Sequence, residues 1–215
     1  MKRLDIIFWA ALSLGAMAIV ITAITVSRER YAPKHTQHYT ALQRLGEIAR
    51  IKFHHAQLHT SFAEQAQREE RHQAARLFRA IAFSEDAQCR QCQEAIENLG
   101  GEFITPIALE RDIASTQENI LRATKLKDSH RTTKAYPMLL KSIASGNRYV
   151  TRILIWCDAD DAHQITLLST QQILTDSITA GYYYVCPKCG YITEGVLATP
   201  ICPQCKTKER YFARF

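Results

Sequence analysis

The chain has 215 residues, of which 47% are hydrophobic and 22% charged, with eight Gly and six Pro. This composition is typical of one folded domain with a small appendage, and it excludes disordered, collagen-like and multidomain proteins. The net charge of +6 comes without a block of Lys and Arg, so nucleic acid is not expected as a partner. The composition is also uneven, because the long apolar run lies in the first 30 residues and four of the seven cysteines lie in the last 34.

The apolar run covers residues 6–26, a stretch of 21 residues without a charge. As a helix rising about 1.5 Å per residue it would be roughly 31 Å long, enough to cross a bilayer. It is longer than a signal-peptide core and is followed by Ser27-Arg28-Glu29-Arg30 without a persuasive cleavage site. Residues 1–30 are therefore predicted to be a transmembrane anchor; a cleaved signal peptide and a buried core helix are the alternatives. The flanking Lys and Arg residues slightly favour a cytoplasmic body, so we expect a single-pass protein of the cell membrane, with the membrane as a partner.

Four long helices are predicted between residues 40 and 178 from an apolar periodicity of 3.6 residues. They cover about 40–68, 70–97, the stretch from just after Pro106 to 145, and 148–178. Pro137 lacks the N–H that a helix interior requires, so a kink is expected there. Helices of this length with short connections predict an antiparallel four-helix bundle over residues 31–180.

The apolar stripe of each helix is interrupted near its middle by ionisable residues. If the four stripes converge, six such side chains meet at the centre of the bundle: Lys52, Glu85, Asp128, Arg131, Asp160 and His163. A buried charge costs several kcal/mol unless it is paired or binds a metal, so the pattern predicts a metal site or an ion-pair network. The alternative is that one or two helices are rotated and these residues face solvent.

Residues 181–215 contain two C-P-x-C turns, one with Cys186 and Cys189 and the other with Cys202 and Cys205. Two CxxC pairs at this separation indicate a four-thiolate metal site rather than two disulfides. Four thiolates suit both zinc and a single iron, so the spacing leaves the metal open. The turns C-P-K-C-G-Y and C-P-Q-C, with aromatic residues on either side, resemble a short rubredoxin module. That resemblance implies one iron that is bound by these four cysteines and passes single electrons; a structural zinc ribbon remains the alternative.

The order of the elements, a helical bundle followed by this knuckle, resembles rubrerythrin, a ferritin-like family that reduces peroxide. Three local stretches support the likeness: Phe62-Ala63-Glu64-Gln65-Ala66, Ala75-Arg76-Leu77-Phe78-Arg79-Ala80-Ile81-Ala82, and Tyr136-Pro137. The resemblance implies a mainly α protein and a homodimer in which the knuckle of one chain approaches the bundle of the other. It also implies two irons bound by a Glu on the first helix, E-x-x-H on the second, E-x-x-E on the third and E-x-x-H on the fourth.

These ligand positions are only partly retained. Lys52 falls on the first Glu, and the three motifs read Glu85 to Gln88, Asp128 to Arg131 and Asp160 to His163. An ammonium and a guanidinium oppose the binding of two dications, so we expect no normal di-iron centre. Instead, Lys52 and Arg131 are expected to neutralise the acids of the layer. A single ion on Asp128, Asp160 and His163 is the alternative, and with Glu85 these residues could support residual peroxide chemistry.

The other cysteines are expected to be structural. Cys89 and Cys92 form a third CxxC inside a predicted helix, where no turn presents the two thiols together, and Cys157 is expected in the core. The sequence therefore predicts a one-electron carrier, at most an oxidoreductase of the rubrerythrin type, and names neither its donor nor its acceptor. The alternative is a non-catalytic binding or scaffold protein with a structural zinc.

Overall fold

A computed structural model of the protein describes residues 35–109, 112–173, 181–195 and 200–215. None of the helices in these ranges is both long enough and apolar enough to span a bilayer. This finding contradicts the predicted localisation as a single-pass membrane protein, which is wrong. The apolar run of residues 6–26 and the anchor predicted over residues 1–30 lie outside the described residues.

The predicted mainly helical fold with a C-terminal four-cysteine knuckle is confirmed. Helix α1 spans His35–Arg68, α2 spans His72–Asn98, α3 spans Thr116–His130, α4 spans Tyr136–Ala144 and α5 spans Arg148–Ile173. The short connections 69–71 and 145–147 turn the chain between successive helices. At the second of these turns Gly146 has a φ of +71°, a conformation that favours glycine.

The third predicted helix differs from the structure at its start and in its middle. It begins at Thr116 rather than just after Pro106, because Ser115 forms a capping box with Glu118. The Glu118 amide donates to Ser115 Oγ at 3.4 Å, and the Ser115 amide donates to the Glu118 carboxylate at 3.3 Å. Residues Arg131–Ala135 form a π-helical turn between α3 and α4, just before Pro137 in the first turn of α4. The wider turn accommodates the missing N–H of Pro137 within a continuing helix.

The core of the bundle consists of two apolar clusters separated along the helices by polar residues. On α1 one cluster includes Leu45 and Ile48 and the other includes Phe62. On α5 the clusters are represented by Ile153 and Leu168. Residues 52–59 of α1 and 160–164 of α5 therefore lie between them, at one level of the bundle.

The C-terminal knuckle contains a three-stranded antiparallel sheet in the order β2-β1-β3, with β1 at Tyr183–Val185, β2 at Ile192–Glu194 and β3 at Ala213–Arg214. Its inner face is buried in the same apolar cluster as Phe78 of α2. The contact is closest at Gly190, whose carbonyl accepts a hydrogen bond of 2.5 Å from Ser84 Oγ. A Cβ at Gly190 would lie 2.7 Å from the Ser84 carbonyl oxygen, so only glycine fits this junction.

Candidate metal centre and the charged layer of the bundle

The four cysteines of the knuckle converge on one point. Their Sγ atoms all lie within 4.8 Å of one another, and the pairs Cys186–Cys205 and Cys189–Cys202 are each separated by 3.5 Å. A tetrahedral ion with bonds of about 2.3 Å to sulfur needs sulfur atoms about 3.8 Å apart, so the cluster fits a metal ion. Tight backbone turns hold the thiols in place, since the amides of Gly190 and Lys206 each donate to a cysteine carbonyl at 3.0 Å.

The cluster is shielded unequally from solvent. Cys186, Cys189 and Cys202 are fully buried, whereas Cys205 is partly exposed. Trp156 from α5 and Phe212 from the knuckle pack against the cysteines. The sulfur of Cys205 therefore marks the edge of the site nearest to solvent.

A buried carboxylate links the knuckle to the bundle. Asp160 is 2% exposed and accepts hydrogen bonds from Gln204 of the knuckle at 2.8 Å and from Gln88 of α2 at 2.9 Å. Burial raises the pKa of Asp160 to about 7, although the hydrogen bond from Gln204 opposes the shift. Asp160 was predicted as a remnant metal ligand of the bundle; instead its two oxygens bind these amides at the junction with the knuckle.

The centre of the bundle holds two lysines and two acids in a closed arrangement. The Lys52 ammonium lies 2.7 Å from Asp161 and 3.3 Å from Glu85. The Lys127 ammonium lies 2.9 Å from Asp161 and is also paired with Glu85. Each carboxylate therefore bridges both ammonium groups. We call Lys52, Glu85, Lys127 and Asp161 the charged layer.

The opposite charges of the charged layer stabilise one another. Burial alone would lower the pKa of Lys52, but the carboxylates of Asp161 and Glu85 outweigh it and raise that pKa above its usual value. Burial alone would raise the pKa of Glu85, but Lys127 and Lys52 outweigh it and hold that pKa well below its usual range. Lys52 and Glu85 are thus ionised near neutral pH, and the formal charges of two lysines and two acids sum to zero.

Three histidines border the charged layer. His55 Nε2 and His130 Nδ1 share a hydrogen bond of 2.8 Å, and His59 Nδ1 lies 2.7 Å from the His55 carbonyl oxygen. Burial lowers the pKa of His55 and His59, and it lowers that of His130 to about 4. The three imidazoles are therefore neutral at pH 7 and leave the charge balance unchanged.

Solved structures of nigerythrin, a protein of the rubrerythrin family, resemble the protein. The fully reduced, all-ferrous state gives a TM-score of 0.74 at 18% identity, and the mixed-valent state gives 0.73 at 18%. The partially reduced state gives 0.71 at 19%; each match covers 81% of this chain and 86% of nigerythrin. The protein has a rubrerythrin-like fold. The predicted resemblance is thereby confirmed at the level of the fold. No family model matches the sequence, and no curated protein matches it.

Two helices of the rubrerythrin-like bundle, α3 and α5, are rotated about their own axes relative to the prediction. Asp128 and His163 are exposed, and neither enters the charged layer. Arg131 is partly exposed and pairs with Asp158 at 3.0 Å. Lys127 and Asp161 take the places predicted for Asp128 and Asp160. The neighbouring residue lies about 100° around a helix, so an error of one position exchanges the inward side chain for one that points elsewhere.

The rotation moves two of the three i, i+3 pairs of the family pattern onto different residues. These pairs become Lys127 and His130 on α3 and Asp161 and Gln164 on α5, whereas Glu85 and Gln88 on α2 are unchanged. Gln164 donates to Ser84 Oγ at 2.8 Å. The sequence did contain a signal for Lys127, because Ile120 and Ala123 precede it by seven and four residues on the buried face.

Proposed function

We propose that the protein is a rubrerythrin-like one-electron carrier whose redox centre is a single iron bound by Cys186, Cys189, Cys202 and Cys205. The geometry of the four sulfur atoms supports this most directly, since they converge at distances that suit a tetrahedral ion. The rubrerythrin-like fold adds support, because its neighbour nigerythrin is described in an all-ferrous state. An iron in this site would supply the exchange between ferric and ferrous states.

The surrounding residues are suited to fast exchange of single electrons. Three buried cysteines and the aromatic side chains of Trp156 and Phe212 exclude water from most of the cluster. Rigid turns around the thiols limit reorganisation when the charge of the site changes. We propose that electrons enter or leave at Cys205, the edge that is partly exposed.

We further propose that the bundle holds no di-iron centre. The ammonium groups of Lys52 and Lys127 lie between the two carboxylates that would have to bridge two metal ions. A dication placed there would meet two buried cations within a few ångströms, an arrangement that is strongly repulsive in a poorly solvated interior. The residues therefore do not fit a di-iron centre. The single-ion alternative and residual peroxide chemistry lose their support as well, because Asp128 and His163 are exposed.

A second candidate is a non-catalytic scaffold in which zinc occupies the four-cysteine site. The zero net charge of the charged layer favours the scaffold, because a bundle whose centre is filled by ion pairs can pack stably without any redox role. The homodimer implied by the resemblance remains a prediction under either candidate. An electron donor and an acceptor are expected only for the electron carrier, and both remain unnamed.

A visible absorption spectrum of the purified full-length chain distinguishes the two candidates. Ferric iron bound by four thiolates absorbs strongly in the visible and bleaches on reduction, whereas zinc is colourless. Cys202→Ser should abolish the colour, and Cys89→Ser should leave it unchanged. Cys89 is a suitable control because it is buried in the bundle and its thiol donates to the Ala49 carbonyl at 3.4 Å, a bond that a serine hydroxyl can replace. A colourless protein that contains zinc would refute the electron-transfer proposal.

A further inference from the structure

A crevice of about 300 Å³ opens beside the four-cysteine site, where α5 and α2 meet the knuckle. Its volume is at the lower end of the range for small-molecule sites, which suits a ligand of one or two fused rings. The lining side chains that could contact a ligand through charge, aromatic stacking or sulfur are Glu94, Tyr149, Arg152, Trp156, Lys188 and Cys205. The crevice therefore reaches the one cysteine of the cluster that is partly exposed.

One wall of the crevice is aromatic. Trp156 lines it and also packs against the cysteine cluster. The Arg152 guanidinium carbon lies 5.4 Å from the centre of the Trp156 ring and 6.0 Å from that of Tyr149. A flat cation over flat rings presents a surface against which a planar molecule can stack.

The lining of the crevice has a net positive charge. Arg152 and Lys188 are exposed, and within the described ranges neither forms an ion pair with a carboxylate. Glu94 is the acid in the lining, so the two cations exceed it by one. An anionic group would pair with these cations without first displacing a partner, which favours a negatively charged ligand.

We propose that this crevice binds a small, planar, anionic quinone-type molecule that exchanges one electron with the four-cysteine site. The electron-exchange part rests on the proposed function above. In the forward direction one electron leaves the reduced site, and the anionic ligand that accepts it becomes a radical dianion. No bond forms or breaks and no proton moves. The additional negative charge lies beside Arg152 and Lys188, which therefore stabilise the reduced ligand more than the oxidised one.

Ligand binding can be tested on zinc-loaded full-length protein, so that the result does not depend on iron. The probe is 2-hydroxy-1,4-naphthoquinone, an anion at neutral pH, and the measurement is quenching of tryptophan fluorescence. We expect saturable quenching that largely disappears in Trp156→Phe, since the chain contains one other tryptophan, Trp9. Uncharged 1,4-naphthoquinone should bind more weakly.

Charge-neutralising variants test the role of the two cations. The double change Arg152→Gln with Lys188→Gln should weaken binding about tenfold, the loss expected for two exposed ion pairs. Arg210→Gln is the matched control, because Arg210 is an exposed knuckle residue that stacks on Tyr211 at 4.9 Å, and it should bind like the wild type. Unsaturable quenching, an unchanged affinity of the double variant, or complete competition by inorganic phosphate would each overturn the proposal. If the quinone binds but the protein as purified contains only zinc, the binding site is supported and electron transfer is refuted.

Discussion

Replacement of Lys127 by methionine would leave the charged layer with one ammonium and two carboxylates. Lys127 is 1% exposed and pairs with both Glu85 and Asp161, so the change leaves one net negative charge buried. Removing one partner of a buried ion pair typically costs about 3–5 kcal/mol. For a chain of this size each kcal/mol lowers the melting temperature by about 2–4 °C, so we expect a decrease of about 6–20 °C.

Urea unfolding followed by circular dichroism measures this loss, and a second substitution shows its cause. Asp161→Asn added to Lys127→Met restores a neutral layer of Lys52 and Glu85, so the double variant should be more stable than the sum of the two single losses predicts. Lys134→Met is the control, because Lys134 is about half exposed and lies 3.4 Å from Glu47; its loss should cost at most about 1 kcal/mol. A Lys127→Met variant as stable as wild type, or strictly additive losses, would refute the electrostatic role of the layer.

Three further outcomes follow from the structure. The Asp160 carboxyl binds its proton more tightly in the folded protein, because burial raises its pKa from the usual 3.8 to about 7. The unfolding free energy should therefore fall by up to about 4 kcal/mol as pH rises through this window, and by roughly 3 kcal/mol of that between pH 5 and pH 8. Urea titrations at pH 5 and pH 8 should show that Asp160→Asn removes this fall, and an unchanged dependence would contradict the assignment. Gly190→Ala should loosen the junction between knuckle and bundle and speed proteolysis there. Gly146→Ala should not, because Gly146 is also at positive φ but has no described atom within 4 Å of an added Cβ. Equal cleavage of the two variants would argue against the close contact at Gly190. Lys52→Glu combined with Lys127→Glu should create a site for divalent metal in the bundle, which calorimetry would detect as binding in addition to that of the four-cysteine site. A folded variant that binds no metal in the bundle would count against the idea that the two ammonium groups occupy the places of metal ions.

The metal knuckle could be predicted because its signal is local. Two CxxC turns bring pairs of thiols together within a few residues, so the cluster of Cys186, Cys189, Cys202 and Cys205 depends little on distant packing. The start of α3 also has a local signal, since Ser115 and Glu118 have the spacing of a capping box. Helical periodicity alone predicts an earlier start, just after Pro106.

The composition of the charged layer could not be predicted to the residue. Lys52 and Glu85 lie in the charged layer, but the choices between Lys127 and Asp128 and between Asp160 and Asp161 depend on a helix rotation of one residue. Both aspartates of α5 are buried, and the sequence does not show that one meets the lysines while the other meets Gln204 of the knuckle. Only the packing of the knuckle against α2 and α5 separates these two roles.

The metal content of the full-length protein, purified from cells supplied with both iron and zinc, tests the central claim most directly. Mass spectrometry of the elements should find one iron per chain, and Cys202→Ser should lose it while Lys127→Met retains it. Three irons per chain would contradict the account, because two of them would have to occupy the bundle where Lys52 and Lys127 now lie.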